Sequence, residues 1–171
     1  LQTSLELLRS GMVDLIVDTT PAENHSPNLV LSKPLLKTEY FLFAHPSIKP
    51  LDAIDDAGGL IVGIRRSEQN ESALGAPIPN ERLRLFKNSE GLFSAALESR
   101  IKVFISDEIT LFHFLSRNRL SNIFSYRKHK PVFEKVFRAA ALRKNLALID
   151  SVNRGLSAID RSEREKLRNK W

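Results

Sequence analysis

Residues 60–64, Leu-Ile-Val-Gly-Ile, form an apolar run with no polar residue inside it. Such a run, too short for a membrane span and lacking alternation, fits a strand buried on both faces of a sheet. Strands of that kind need helices on each side, so this segment restricts the chain to an α/β architecture. Further short apolar segments recur along the chain at Val13–Val17, Tyr40–Ala44 and Lys102–Ile105. Helical patterns lie between and beyond them. Thr3–Ser10 reads as a helix, with Leu5, Leu8 and Met12 on one face and Gly11 as its C-terminal stop. Ser89 or Asn88 caps a helix running to Arg100, with Leu92, Phe93, Ala96 and Leu97 as its apolar stripe. Asp107 caps Glu108–Ser116.

Weaker expectations complete the reading. Leu29–Leu31 is a brief extended piece before Ser32-Lys33-Pro34, and Ile54–Ala57 is a helical turn ending at Gly58-Gly59. Arg82–Phe86 and Ile123–Ser125 are short strands, and Val136–Leu142 is extended. Ser151–Ile159 is a helix carrying Val152, Leu156 and Ile159 on one side, and Ser162 with Glu165 forms a capping box for a last helix. Strands alternating with helices predict a largely parallel sheet, whose ligands sit at the carboxyl ends of strands. Three loops follow strands in this way: Asp18–His25, Arg65–Glu71 and Ser106–Glu108.

Composition removes several function classes. There is no Cys among 171 residues, which excludes a disulfide scaffold, thiol catalysis and Cys-ligated zinc. The four His (25, 45, 113 and 129) lack metal-ligand spacing, and no G-x-S-x-G, P-loop or G-x-G-x-x-G occurs. These patterns point to no enzyme, cofactor or metal, and none is expected. Net charge is +6 but uneven: residues 117–171 hold 15 Lys+Arg against 5 Asp+Glu. A basic half fits nucleic acid, an anionic membrane surface or a solvated helix face. The cations are scattered and interleaved with acids, as in Arg161-Ser162-Glu163-Arg164-Glu165-Lys166, so no nucleic-acid partner is expected. The chain starts at Leu1 within a helical pattern and reads as a piece of a longer precursor.

Residues 5–34, LELLRSGMVDLIVDTTPAENHSPNLVLSKP, resemble the first-lobe segment of bacterial periplasmic solute-binding proteins of family 3, the polar-amino-acid type. That pattern is a helix, an "sGxvDli" strand, a "TPxxER" loop and "FSkPY". Leu51–Ile64 resembles "sldDLkGkrvgv", and Ser89–Glu108 resembles "s.eeal.al..grvda.i.De". Leu156–Trp171 resembles "l..i...er..I..kW", an ending similar to those of sensor modules in membrane histidine kinases and diguanylate cyclases.

The resemblance implies a type II periplasmic-binding-protein (Venus flytrap) fold, α/β and bilobal, with mixed, mostly parallel sheets. Lobe 1 would comprise residues 1–45 and 142–171, and would be incomplete because the family's first strand-helix-strand unit has no counterpart here. Lobe 2 would comprise 46–136, with hinge strands at Glu39–His45 and Val136–Lys144. The resemblance also implies an extracytoplasmic module beside the inner membrane. It would bind a small polar or anionic solute in an interlobe cleft and signal by closure to a membrane-attached partner domain. Two alternatives stay open. One is a free solute-binding component of an ABC transporter. The other is the effector-binding domain of a LysR-type regulator. Relatives of the fold include lytic transglycosylases and cyclohexadienyl dehydratases, so fold alone does not settle function. A homodimer is one arrangement in which an incomplete lobe 1 completes its sheet.

Transferring the family's site residue by residue, the loop Arg that pairs with a ligand carboxylate falls on His25, with Asn24 in place of the Glu. The carboxylate fork is therefore missing. His25 either binds an anion when protonated or is an exposed loop residue. Thr19 and Thr20 offer ligand hydroxyls, or simple turn chemistry before Pro21. Arg65, Arg66 and Ser67 stand at the family's anion-cradling turn, where the arginines either hold an acidic group or are solvated beside Glu68 and Glu71. Asp107 falls where a carboxylate receives a ligand ammonium, and also where a helix needs its cap. Tyr40 is either a cleft aromatic or core packing.

Overall fold

A computed structural model describes residues 4–18, 28–66, 80–160, 162–164 and 166. The elements are α1 (Ser4–Arg9), β1 (Ile16–Asp18), β2 (Leu29–Ala44), β3 (Val62–Arg65), β4 (Leu83–Phe86), α2 (Ser89–Leu97), β5 (Val103–Asp107), α3 (Glu108–Arg117), β6 (Phe133–Leu142) and α4 (Leu146–Ala158). The chain forms two compact units, Leu1–Lys37 with Val136–Trp171, and Thr38–Lys135. Strands β2 and β6 each run from one unit into the other.

The larger unit, Thr38–Lys135, has the strand order β2-β5-β3-β4. Here β2 is antiparallel to β5, with Tyr40 opposite Asp107 and Ala44 opposite Val103. β3 lies parallel to both β5 and β4. Side chains alternate between the faces with period two. Phe41, Phe43 and Phe104 join Leu92 and Phe93 of α2 and Leu111 and Leu115 of α3 in one core. Tyr40, Leu42, Val103 and Ile105 join Ile54, Val62 and Ile64 in the other. Being sandwiched between two cores is why Val62–Ile64 and Val103–Ile105 are apolar throughout, whereas Ile61, expected in the buried run, precedes β3 and is exposed. Gly63 is a requirement of that packing: a Cβ there would collide with Ile101 Cδ1 and lie 2.8 Å from Leu92 Cδ1.

Helix ends in this unit follow their local chemistry. Asn88 caps α2, its side chain accepting from Gly91 N–H at 2.9 Å. Both helices then close with a residue at positive φ, Ser99 (58°) after α2 and Arg119 (56°) after α3. Arg100 N–H donates to Ala95 O and Ser99 N–H to Ala96 O, and the pair is repeated by Leu120 to Leu115 and Arg119 to Ser116. This is the Schellman arrangement, made here without glycine.

The smaller unit has the order β1-β6-β2, with β1 antiparallel to β6 (Ile16 opposite Ala140). Ser32 is buried and accepts from Ala139 N–H at 3.0 Å through its hydroxyl, while its carbonyl accepts from Arg138 at 2.8 Å. The cores of this unit are modest: Leu8, Ile16 and Ala140 in one, Ala139, Ala141 and Ile149 in the other.

Several sequence expectations change. Leu29–Leu31 and Tyr40–Ala44 are not separate: β2 is one strand of 16 residues, and Pro34 is accommodated at an exposed position within it. Met12 is 69% exposed, because the chain turns at Gly11 (φ 76°) and carries it off the helix face. The strand expected at Val13–Val17 is confined to Ile16–Asp18. α4 begins at Leu146, earlier than Ser151, and Ile149 is its buried residue. The segment at Ile123–Ser125 makes a single bridge, Ser125 to Ala44. The last capping box is Asp160 with Glu163, each side chain accepting the other's backbone N–H at 2.8 and 3.4 Å. Glu165 lies outside the described residues.

Candidate functional site

The carboxyl ends of β3 and β5 lie side by side in the larger unit, because the two strands are parallel. That end of the sheet collects Arg65, the last residue of β3, and Asp107, the last of β5. Tyr40 sits opposite Asp107 in the antiparallel register of β2. Three of the residues expected from sequence are thus brought together by topology.

Asp107 is buried at 8% exposure, and its side chain accepts from Thr110 N–H at 2.8 Å. It therefore caps α3, and a cap of this kind is worth about 1 kcal/mol. Tyr40 is also buried. Burial pushes its hydroxyl above the usual tyrosine range; the negative charge of Asp107 pushes the same way, and Arg65 opposes it. The phenol thus senses both neighbouring charges. Arg65 is half-buried, whereas Arg66 is exposed and its backbone N–H donates to Phe86 O at 2.5 Å, extending the β3–β4 ladder. Thr19, Thr20, His25 and Ser67 lie outside the described residues.

Sequence reading missed two residues of this cluster. Phe133 stacks on the Tyr40 ring, centroids 4.5 Å apart and planes 15° from parallel. Lys135 is buried at 7% exposure with its Nζ 5.4 Å from the centre of the same ring. Both belong to the start of β6, two residues apart and hence on one side of the strand. The available signal was that spacing: an aromatic and a cation alternating into a sheet face. The end of the sheet therefore carries one carboxylate, two cations and a stacked aromatic pair, which suits a polar solute with both charged and flat parts.

Next to it, the Tyr126 hydroxyl donates to Glu108 Oε1. Burial and the adjacent carboxylate push Tyr126 up to about 12. Elsewhere in the unit, a cavity of about 290 Å³ has Leu42, Ile54 and Val132 among its lining residues. At its edge Asp52 pairs with Arg127 at 2.8 Å and Lys130 at 3.5 Å, and these cations hold its carboxyl below the usual range. Among the described residues no cluster of His, Asp and Glu is arranged to hold a metal ion, and no helix is long and apolar enough to cross a membrane.

Neither a family model nor a curated protein matches the sequence. Solved structures do match. A histidine kinase sensor domain with similarity to periplasmic binding proteins superposes with a TM-score of 0.76 at 17% identity, over 96% of this chain and 72% of that one. The periplasmic VFT2 domain of BvgS from Bordetella pertussis gives 0.71 at 15%, over 96% and 70%. The substrate-binding protein of an amino acid ABC transporter gives 0.70 at 19%, over 96% and 73%. The motif resemblance and the three-dimensional likeness point the same way, and the chain has the mixed α/β fold of the bilobal periplasmic binding proteins.

Proposed function

We propose that the chain is an extracytoplasmic module that binds or senses a small polar solute without chemical turnover. The solute would be held at the strand ends of the larger unit. The placement of Asp107 and Arg65 at one end of the sheet, with Tyr40 in register beside Asp107, carries this reading. A buried carboxylate beside a cation recognises a ligand with complementary charges, and a neighbouring aromatic face adds apolar contact. Asp107 is the acceptor for a cationic group of the ligand and Arg65 the donor to an anionic one. The likeness to two sensor domains supports signalling to a membrane-attached partner, and the likeness to a transporter's binding protein supports delivery of cargo.

The test is a thermal-shift screen of the chain against amino acids, polyamines, dicarboxylates, sugars and nucleosides. A ligand at a hundred times its Kd adds about 2.7 kcal/mol of stability. Asp107→Asn is the informative variant, because Asn caps a helix as well as Asp but has no charge. It is expected to keep the unliganded melting temperature and lose the ligand-induced shift. Asp107→Ala loses both, its base stability falling by about 1 kcal/mol. A shift that survives in Asp107→Asn, or no shift across the panel, removes the strand-end site.

A further inference from the structure

The cavity of about 290 Å³ in the larger unit shares no residue with the strand-end cluster. Two segments supply its walls, 51–55 after β2 and 127–132 before β6, together with Leu42 of β2 itself. Leu42 and Ile54 are buried and Val132 packs on the same core, so the inner surface is apolar. Both walls are fixed by backbone bonds. Asp56 Oδ2 accepts from the N–H groups of Asp52 at 3.0 Å and Ala53 at 2.9 Å, and Val132 N–H donates to Tyr40 O at 2.7 Å. A recess held in this way is formed before a ligand arrives. An apolar cavity of about 150 Å³ takes up a benzene, so this one has room for about two rings.

Its polar groups meet at one point. Arg127 Nε donates to Asp52 Oδ1 at 2.8 Å, and Lys130 Nζ lies 3.5 Å from Asp52 Oδ2, so two cations converge on one carboxylate. The Arg127 hydrogen bond, with the charges of Lys130 and Arg127, holds the Asp52 carboxyl below the usual range, so this point favours a carboxylate. The bond uses Nε and leaves the terminal N–H groups of the guanidinium fork for a second acceptor. All three side chains are about half exposed, and an exposed ion pair is weakly held. Asp55 also lines the cavity and pairs with neither cation among the described residues.

We propose that this cavity binds a small amphipathic carboxylate, its ring on Leu42, Ile54 and Val132 and its carboxylate on Arg127 and Lys130. Asp52 is then a stand-in anion that the ligand displaces. The arrangement selects the head group: a cationic head would have to compete with Arg127 and Lys130 for Asp52, whereas a carboxylate takes the place that Asp52 already holds. The apolar inner surface selects the body, because a bare anion leaves it unfilled. Asp52 and Arg127 are 75 positions apart, so their bridge ties one wall to the other, and the ligand replaces that tie with its own contacts. Binding here is independent of what the strand ends hold.

The test is a titration of the isotope-labelled chain with naphthoate, a two-ring carboxylate, followed by two-dimensional NMR of the backbone amides. Saturable shifts are expected at Asp52, Ala53, Ile54 and Val132. Acetate, which lacks the rings, and naphthylmethylamine, which reverses the charge, should give none that saturate. Arg127→Gln with Lys130→Gln should weaken naphthoate binding at least about tenfold. Asp52→Asn should tighten it about threefold or more, because the competing carboxylate is gone. Asp55→Asn removes the same charge from the same cavity and, in about 0.15 M salt, should change binding less than about twofold. The spectra report folding. If the double variant is unfolded, Arg127→Gln and Lys130→Gln made singly should each weaken binding, and the gain in Asp52→Asn is a result that misfolding does not imitate. Saturation with the amine at these amides overturns the proposal in favour of apolar contact alone. No gain in Asp52→Asn, or an equal gain in Asp55→Asn, overturns it because Asp52 is then not displaced. Shifts confined to Arg65, Asp107 and their neighbours assign naphthoate to the strand ends and overturn it as well, as does the absence of any saturable shift.

Discussion

Two tyrosines are the whole tyrosine content of the chain, and both are held neutral by their surroundings. Tyr126 is the more strongly shifted, to about 12, first by burial and then by the Glu108 carboxylate that accepts its hydroxyl proton. A raised pKa favours the protonated form in the folded state. Its contribution to stability is therefore complete below pH 10 and is lost as pH rises through 12. In a titration followed at the tyrosinate absorbance, the Tyr126 step should move down in Glu108→Gln but stay above the free-tyrosine value, since burial persists. The pH dependence of the urea midpoint should flatten over the same window. An unmoved Tyr126 step in Glu108→Gln would mean the contact does not persist in solution. At this scale the sequence was partly legible. Asp107 was readable as a cap and as a site residue from position alone. Lys135 was not, because a lysine in a strand gives no sign of facing inward until its partner Tyr40 is placed across the sheet.

Elements were legible where a single local signal dominates. Asn88 and Asp107 mark helix starts because an Asx side chain satisfies a free N–H there. Strand β2 was not legible as one element. Pro34 and the polar residues 37–39 resemble a break, yet only the pairing of the strand's two halves decides its length. The start of α4 was missed although Asn145, a residue type that favours helix starts, stands at its N-cap, where its side chain makes no cap bond. Helix ends gave no glycine signal at Ser99 or Arg119, although both adopt the left-handed conformation that glycine tolerates best. Arg119→Gly should therefore stabilise the chain by about 1 kcal/mol, read from chemical denaturation, because the αL strain of a residue with a Cβ is removed. A destabilisation of that size would show that the arginine side chain supports the turn after α3.

Across the whole molecule, both large core clusters lie entirely within residues 38–135, and the two small ones entirely outside them. The larger unit is one continuous stretch with its own two-sided sheet, and the smaller is built from two distant pieces around the alanine-rich end of β6. A fragment of residues 38–135 is thus expected to unfold cooperatively in urea with a folded-protein spectrum, while residues 136–171 alone should show no such transition. Failure of the 38–135 fragment to fold would mean its cores depend on the flanking pieces. Local patterns alone do not give a division of this kind, since it depends on which strand pairs with which across more than a hundred positions; the family resemblance is what implied lobes at 1–45 with 142–171 and at 46–136.

The nesting of one unit inside the other also sets a clock on synthesis. β1 can find its partner β6 only after every residue of 38–135 has been made. At about 5–20 residues per second, that delay is roughly 5–20 s on the ribosome. Throughout it Leu8 and Ile16, buried in the finished protein, have no Ala140 to pack against. The continuous unit can finish first, while β1 waits for the strand that completes its pairing.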